Sequence, residues 1–166
     1  MRVNIAATDE TLMKKFLLLL IISLPAMALD YPLGPHPKLT PGSLCDTPDS
    51  YRYKERIAYC ERDVSRDSKD HIFRNYERLG YRFKPNERSS FKIDHYIPLC
   101  AGGSNYDNNL WPQHISVYKQ TDAIEALGCE KLRDGKLTQR QLVQLIKEVK
   151  NDLSLAREYL RELQSK

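Results

Sequence analysis

The sequence predicts a single α+β domain that is mostly helical and contains one short strand hairpin. The chain has 166 residues, which is enough for one hydrophobic core. Apolar residues recur at helical spacing over much of the chain, most regularly between residues 142 and 160. Between helical segments, the runs Phe91-Lys92-Ile93 and Asn108-Asn109-Leu110-Trp111 flank a glycine-rich turn, which is typical of paired strands.

Residues 1–28 have the features of a signal peptide. Two lysines precede an apolar run over residues 16–23, which is too short to span a bilayer, and Ala26-Met27-Ala28 supplies an A-x-A cleavage site. The mature protein is expected to begin at Leu29, with Met13 as an alternative start of the precursor. We therefore expect an exported protein, periplasmic or secreted, with no stable membrane association after cleavage.

Four cysteines lie in the predicted mature chain, and an oxidising compartment favours two disulfides. Three connectivities are possible. Cys45 with Cys60 and Cys100 with Cys129 are favoured, because each pair closes a local loop. A zinc site is the alternative, but no C-x-x-C pair occurs.

Two regions follow the signal segment: a proline-rich arm over residues 29–50 and a domain over residues 51–166. Five of the nine prolines lie in the arm, which predicts an extended chain. Apolar spacing predicts a helix from Tyr51 to Val64. Ser65 is expected to cap a second helix that Gly80 ends.

The second half of the domain contains the predicted hairpin and two further helices. Proline at position 98 ends the first strand, because it cannot donate to a strand ladder. A helix follows over Ile115 to Leu127. Thr138 and Gln141 form a capping box that opens a helix reaching about Leu163.

Positive charge is concentrated ahead of the hairpin. The formal net charge is +4, yet Arg52 to Lys92 holds twelve basic and seven acidic residues, while Ile93 to Lys166 holds ten of each. A basic segment fits a polyanionic partner, and we expect DNA as the substrate, with RNA as the alternative.

Asp94 and His95 are the candidate reactive pair. Neighbours on a strand point to opposite faces, so one can bind a cation while the other faces the substrate. An imidazole suits a general base because its ordinary pKa lies near neutrality. A carboxylate suits Mg²⁺; a histidine ligand would favour Zn²⁺, Ni²⁺ or Mn²⁺. We expect one divalent cation, most favourably Mg²⁺.

The run Asp94-His95-x-x-Pro98-Leu99-x-x-Gly102-Gly103-Ser104-Asn105, followed by Asn109-Leu110-Trp111-Pro112-Gln113, resembles the signature of HNH endonucleases. The match spans residues 93–113, with weaker similarity through Lys119, Asp122 and Glu125. The resemblance implies a ββα-metal finger at about residues 91–127, in which two strands and a helix grip a divalent cation. It also implies that His95 is the general base, that Asp94 is a metal ligand, and that Asn109 orients the His95 ring.

The sequence departs from this pattern at the second metal ligand. In many HNH domains that ligand lies about nine residues after the middle asparagine, which here is Tyr118, a poor ligand. His114 is the candidate in its place, with Gln113 or water as alternatives. Lys92 and Lys119 are the candidate phosphate contacts.

These features predict an exported, monomeric, metal-dependent endonuclease of low sequence specificity, since no module that reads base edges accompanies the motif. The alternative is an exported HNH-like protein without activity that binds nucleic acid or another anionic partner. The missing ligand at Tyr118 favours that alternative.

Overall fold

A computed structural model describes residues 30–166 and confirms an α+β fold with two small antiparallel sheets. About half of the described residues lie in α- or 3-10 helices. The strands are β1 (Ser50–Arg52), β2 (Ile57–Tyr59), β3 (Phe91–His95) and β4 (Leu110–His114), and the helices are α1 (Arg66–Glu77), α2 (Ile115–Arg133), α3 (Gln139–Asn151) and α4 (Ala156–Ser165). The predicted signal segment, residues 1–28, lies outside the described residues.

None of the helices within residues 30–166 combines the length and the apolar character that a membrane crossing requires.

Strands β3 and β4 form the predicted hairpin, and α2 follows β4 without a linker. In this antiparallel pair Asp94 lies opposite Trp111, and His95 lies opposite Leu110. Residues that face each other across a ladder project to the same side, and neighbours along a strand project to opposite sides. Asp94 and His95 therefore belong to different faces of the hairpin.

Two hydrophobic clusters form the interior of the molecule, and the hairpin belongs to the first of them. One hydrophobic cluster joins the hairpin to α1 through residues such as Ile72, Phe73 and Ile93. A second cluster fills the space among the helices α2, α3 and α4, where Leu142 and Ile146 are fully buried. The strands β3 and β4 pack in the first cluster, and Ile97, two residues after His95, packs in the second.

The proline-rich arm is fixed to the body of the domain. The Tyr76 hydroxyl accepts a hydrogen bond from the His36 N–H at 2.9 Å and lies 2.8 Å from the Thr40 hydroxyl. Thr40 donates in turn to the Leu110 carbonyl at 2.9 Å. Burial is the main cause that raises the pKa of Tyr76 to about 12, so this link stays neutral.

Both disulfides are present with the favoured connectivity. Cys45 is bonded to Cys60, and Cys100 to Cys129, and each pair has its Cα atoms 5.8 Å apart. The first bridge joins the arm to the end of β2. The second joins the loop after the reactive pair to α2.

Two predicted helices differ from the structure. Residues 51–64 contain no helix but the hairpin of β1 and β2, whose turn places Tyr53 and Arg56 at positive φ. Strands of three residues are too short to show an alternating pattern, so the apolar spacing indicated a helix incorrectly. The predicted helix from residue 139 to 163 is interrupted at Asp152, whose φ of −137° is extended. The Ser65 cap of α1 and the capping box of α3 are confirmed.

The glycine-rich loop after the reactive pair packs too tightly for side chains. A Cβ on Gly103 would lie 1.8 Å from the Ile97 carbonyl oxygen, which is a severe clash with backbone. Gly102 has a φ of +80°, in the left-handed region that glycine adopts readily. Only glycine at both positions lets this loop fold back against the strand end.

We expect Gly103→Ala to lower the free energy of unfolding by about 2–3 kcal/mol, because the new Cβ must displace buried backbone. Chemical denaturation of the disulfide-bonded protein measures the change. Gly80→Ala is the control: no atom lies within 4 Å of its would-be Cβ, so this variant carries only the backbone strain of a φ of +95°, which Gly103 does not share. Equal losses for both variants would contradict the clash argument.

Candidate functional site

The His95 imidazole lies at the end of β3 and is held from both sides of its ring. His95 is 3% exposed. Its Nδ1 lies 3.0 Å from Nη1 of Arg62, and its Nε2 lies 2.9 Å from Oδ1 of Asn105. Arg62 also donates to the Ile93 carbonyl at 2.9 Å, which fixes the guanidinium along the strand.

These contacts determine the tautomer of His95. A guanidinium can only donate, so the nitrogen facing Arg62 must be the unprotonated Nδ1. The Asn105 amide donates through Nδ2 to the Glu61 carbonyl at 2.6 Å, so its oxygen is the atom that faces the ring. The proton therefore lies on Nε2, and the Nδ1 lone pair, which accepts from Arg62, is the basic site of the ring.

The environment keeps His95 neutral. Burial is the largest influence, and with the positive charge of Arg62 it lowers the pKa of the imidazole to about 4, although the hydrogen bond to Asn105 opposes the shift. A ring that is unprotonated at neutral pH can accept a proton. Its low pKa also makes it a weaker base than an ordinary histidine.

Asn109 positions this region through the backbone and does not contact the His95 ring. Its side chain donates to the carbonyls of Ile97 and Ser104 at 3.0 and 2.9 Å and accepts from the Ile97 N–H at 2.9 Å. Its own carbonyl accepts from the Tyr96 N–H at 2.7 Å. Asn109 thus clamps the loop that carries Asn105, which is the residue that contacts the imidazole.

Asp94 faces the other side of the hairpin and binds a buried lysine. The Lys150 ammonium, on α3, donates to Oδ2 of Asp94 at 2.8 Å, to Oε2 of Glu125 at 2.9 Å and to the His95 carbonyl at 2.6 Å. The Lys150 side chain is completely buried. A second ammonium, that of Lys92, lies 3.5 Å from Oδ1 of Asp94.

The two carboxylates that share Lys150 differ in acidity. Burial alone would raise the pKa of Asp94, but Lys150 and Lys92 together outweigh it and hold the pKa below its ordinary value. Burial dominates at Glu125 and raises its pKa, with Lys150 compensating only in part. The charges of Asp94 and Glu125 hold the pKa of Lys150 above its ordinary value despite complete burial. Asp94 and Lys150 are therefore an ion pair.

The structure does not bring His114 together with Asp94. His114 lies opposite Phe91, three positions along β4 from the partner of Asp94, or about 10 Å away and on the other face. Its Nδ1 accepts from the Ser116 N–H at 3.2 Å and caps α2, while its ring stacks on Tyr31 with centroids 3.9 Å apart. Its position is that of a helix cap.

Gln113 and Tyr118, the other residues near the expected second ligand, are also engaged elsewhere. Gln113 is fully buried and donates to the Thr121 hydroxyl at 3.0 Å, while its Oε1 has no hydrogen-bond partner within residues 30–166. The Tyr118 ring lies under the Lys92 ammonium, with 4.9 Å between nitrogen and centroid. Neither side chain is hydrogen-bonded to Asp94.

The described residues do not fit a divalent cation at Asp94. Within residues 30–166, no group of three or more His, Cys, Asp or Glu side chains is arranged to hold a metal ion. The carboxylates nearest Asp94 are Glu125, bound to Lys150, and Asp122, bound to Lys92 at 2.7 Å. Each carboxylate of this cluster therefore already has an ammonium partner.

A groove beside His95 has a strongly basic lining. It encloses about 360 Å³ and is lined by five basic side chains and one acidic one, together with apolar residues of α1 and β3. We call it the basic groove; its charged residues are Arg62, Arg66, Lys69, Asp70, Arg88 and Lys92. Arg88 pairs with Asp70 at 2.8 Å, whereas Arg66 and Lys69 form no ion pair within residues 30–166.

A second depression meets the basic groove at Arg62. It encloses about 410 Å³ and is lined by polar residues that include Glu61, Arg62 and Asn105. The two residues that hold the His95 ring thus both line this cleft, and one of them also lines the basic groove. His95 itself lines neither depression and is linked to them through Arg62 and Asn105. Lys119, the other candidate phosphate contact, is exposed on α2 and lines neither depression.

Sequence reasoning found His95 and Asp94 but missed the side chains that contact them. Asn105 lies inside the recognised motif, so its proximity to His95 had a signal. The only sequence signal for Arg62 was the general excess of basic residues before the hairpin. No sequence signal pointed to Lys150, because it lies on an amphipathic helix 56 residues after Asp94.

No protein-family model, no curated protein and no solved structure matches the chain. Its function has to be inferred from its own residues and their geometry.

We expect the His95 ring to titrate at about pH 4, well below an ordinary histidine, because it is buried and faces Arg62. NMR of the imidazole carbon-bound protons as a function of pH measures this. In the folded state His95 takes up its proton only at a lower pH than in the unfolded state. Protonation therefore lowers the free energy of unfolding by about 3 kcal/mol as the pH falls from about 6.5 through 4.

His95→Gln serves as the control, since it removes the titrating group and should flatten the stability curve in that window. A midpoint near 6.5 for His95 would contradict the burial and charge argument.

Proposed function

We propose that this chain is an exported endonuclease that hydrolyses phosphodiester bonds of nucleic acid with low sequence specificity and uses His95 as general base. The observation that carries the proposal is that Arg62 contacts the His95 base nitrogen and also lines the basic groove. A phosphate in that groove would lie beside a neutral imidazole. The HNH-like motif around Asp94 and His95 supports the same reading, and the β3–β4–α2 order is compatible with a ββα-metal finger.

Arg62 has a specific part in this proposal. In the free protein its guanidinium covers the Nδ1 lone pair of His95, so the base is not free to accept a proton. Guanidinium groups bind phosphate oxygens through paired, charge-assisted hydrogen bonds, which are stronger than a bond to a neutral imidazole. Substrate binding would draw Arg62 onto the phosphate and expose Nδ1 to water.

The chemical step then follows from the residues present. The water oxygen forms a bond to phosphorus while Nδ1 of His95 takes its proton. The bond from phosphorus to the bridging oxygen breaks, and solvent water protonates the departing alkoxide. Arg62 and Arg88 offset the negative charge on the phosphoryl oxygens, and Asn105 holds the imidazole through Nε2 as its charge develops.

The divalent cation that the resemblance implies remains a prediction. Asp94, the expected ligand, is paired with Lys150 and is too far from His114 to share a metal ion with it. The chemical step therefore rests on side chains and water, and nicking with and without chelator measures any dependence on divalent cations.

A second candidate is an exported protein that binds nucleic acid or another polyanion without cleaving it. The contacts of Arg62 on the base nitrogen and of Lys150 on Asp94 favour it, because both reactive groups are occupied in the free protein. Its ligand would bind in the same basic groove. Binding without turnover distinguishes it from the endonuclease.

We expect the purified, disulfide-bonded protein to nick supercoiled plasmid DNA, and His95→Ala to lower the rate by about 10²–10⁴-fold because the general base is lost. Gel analysis of the nicked form measures the rate, with Mg²⁺, with Mn²⁺ and with chelator.

His71→Ala is the matched control, since His71 is an exposed histidine that pairs with Asp107 outside the site. If the wild type binds DNA but nicks nothing in any of these buffers, the binding protein is the correct reading. Equal rates for the wild type and His95→Ala would exclude His95 as the base.

We expect DNA affinity to fall steeply with salt, and the double variant Arg66→Gln/Lys69→Gln to make the log–log salt dependence shallower by about 2, since about one counterion is released per phosphate contact. Fluorescence anisotropy with a labelled duplex measures this. Arg157→Gln/Arg161→Gln, which removes the same charge from α4, should leave the slope nearly unchanged. Equal effects of the two pairs would indicate attraction by net charge alone.

A further inference from the structure

Lys150 is the only lysine among residues 30–166 whose side chain is completely buried and fully bonded. An ammonium has three donors and no acceptor. All three are used, on one oxygen each of Asp94, Glu125 and the His95 backbone. The distances of 2.6 to 2.9 Å are those of strong charged hydrogen bonds.

Those three oxygen atoms are also the kind that a hard divalent cation takes as ligands, namely carboxylates and a backbone carbonyl. A metal ion bound to the same oxygens would lie within a few ångströms of the Lys150 nitrogen in a region that excludes water. Like charges at that separation repel strongly where the local dielectric is low. The ammonium and a divalent cation therefore compete for one position.

The balance of charge around Lys150 also disfavours an added divalent cation. Three carboxylates, those of Asp94, Asp122 and Glu125, face the ammonium groups of Lys92 and Lys150. Two ammonium groups carry the same charge as one divalent cation, so the cluster is already largely neutralised. Adding a metal ion would leave excess positive charge unless a lysine moved away.

We propose that the Lys150 ammonium is the resident cation of the Asp94 site, where it takes the place of a divalent metal ion and holds the backbone of His95 in position. The proposal deepens the proposed function, on which it rests for its catalytic meaning. Lys150 is accordingly a positioning residue, since it contacts the carbonyl of His95 and not the imidazole. A corollary is that removing the ammonium turns Asp94 and Glu125 into a metal-binding site.

The first experiment is a calorimetric titration of the full mature protein with Mn²⁺ and with Mg²⁺. We expect the wild type to show no stoichiometric metal binding that depends on Asp94. The wild type and Asp94→Asn should therefore give the same titration. One Mn²⁺ bound per chain by the wild type, and lost in Asp94→Asn, would overturn the proposal. This comparison requires no change at Lys150, so it stands even if variants of Lys150 fail to fold.

The second experiment uses Lys150→Ala, which leaves two buried carboxylates without their ammonium. We expect this variant to bind one Mn²⁺ at least tenfold more tightly than the wild type, with a midpoint of thermal unfolding that rises as Mn²⁺ is added. The double variant Lys150→Ala/Glu125→Gln, which keeps the space but removes one ligand charge, should lose most of this gain. A merely structural lysine would give a destabilised variant that Mn²⁺ does not rescue, and that result would count against the proposal.

The two proposals fail in different ways. Metal binding and thermal unfolding test Lys150 without any nucleic acid, whereas plasmid nicking tests the endonuclease. A wild type that nicks DNA and also binds Mn²⁺ through Asp94 would retain the endonuclease and reject the resident ammonium. A wild type that nicks nothing and binds no metal would reject the endonuclease and retain the resident ammonium.

Discussion

The alternation of side chains along β3 organises this molecule. Two neighbouring residues, Asp94 and His95, have opposite surroundings because the strand sends them to opposite faces. One face meets the helices that follow the hairpin and receives a buried ammonium. The other meets α1 and the residues that lead into it, and receives a guanidinium. Both cations also bond to backbone carbonyls of β3, so the strand is held by positive charge from both sides.

Contacts with backbone groups fix the conformation of the chain at the end of β3. The Asn109 side chain bonds to the backbone of Ile97 and Ser104, and Gly103 allows the loop to approach the carbonyl of Ile97. These contacts fold the loop back so that Asn105 reaches the imidazole. A shift of one residue in this loop would remove Asn105 from the ring. The fixed spacing from His95 to Asn109 is therefore a geometric requirement of the turn.

Local signals in the sequence were sufficient for most of the scaffold. The hairpin, the capped helices α1 and α3 and the cysteine pairing could all be predicted, because each depends on residues close together in the chain. The hairpin at residues 50–59 could not, since strands of three residues are too short to show an alternating pattern. The break at Asp152 was missed because the apolar stripe continues across it.

The candidate site also contains some residues that the sequence predicts and others that only the fold brings together. Asp94, His95 and Asn109 belong to one short motif, whose spacing identified them. Arg62 and Lys150 reach the same place from 33 and 55 residues away along the chain, and only the fold brings them there. His114 was favoured as a ligand because it is close in sequence, yet the pleat of β4 sends it to the other face. Proximity along a strand is a poor guide to proximity at a site.

The bridge between Cys45 and Cys60 has a consequence for where the site can assemble. Glu61 and Arg62 come directly after Cys60, and through Asn105 and the guanidinium they are the two supports of the imidazole. Closing this loop of about 15 residues constrains the unfolded chain by about 3 kcal/mol. A chain whose Cys45 and Cys60 are reduced lacks that constraint at the residues that contact the His95 ring. Under the proposed export, oxidation of this bridge would therefore separate synthesis of the protein from assembly of the contacts around His95.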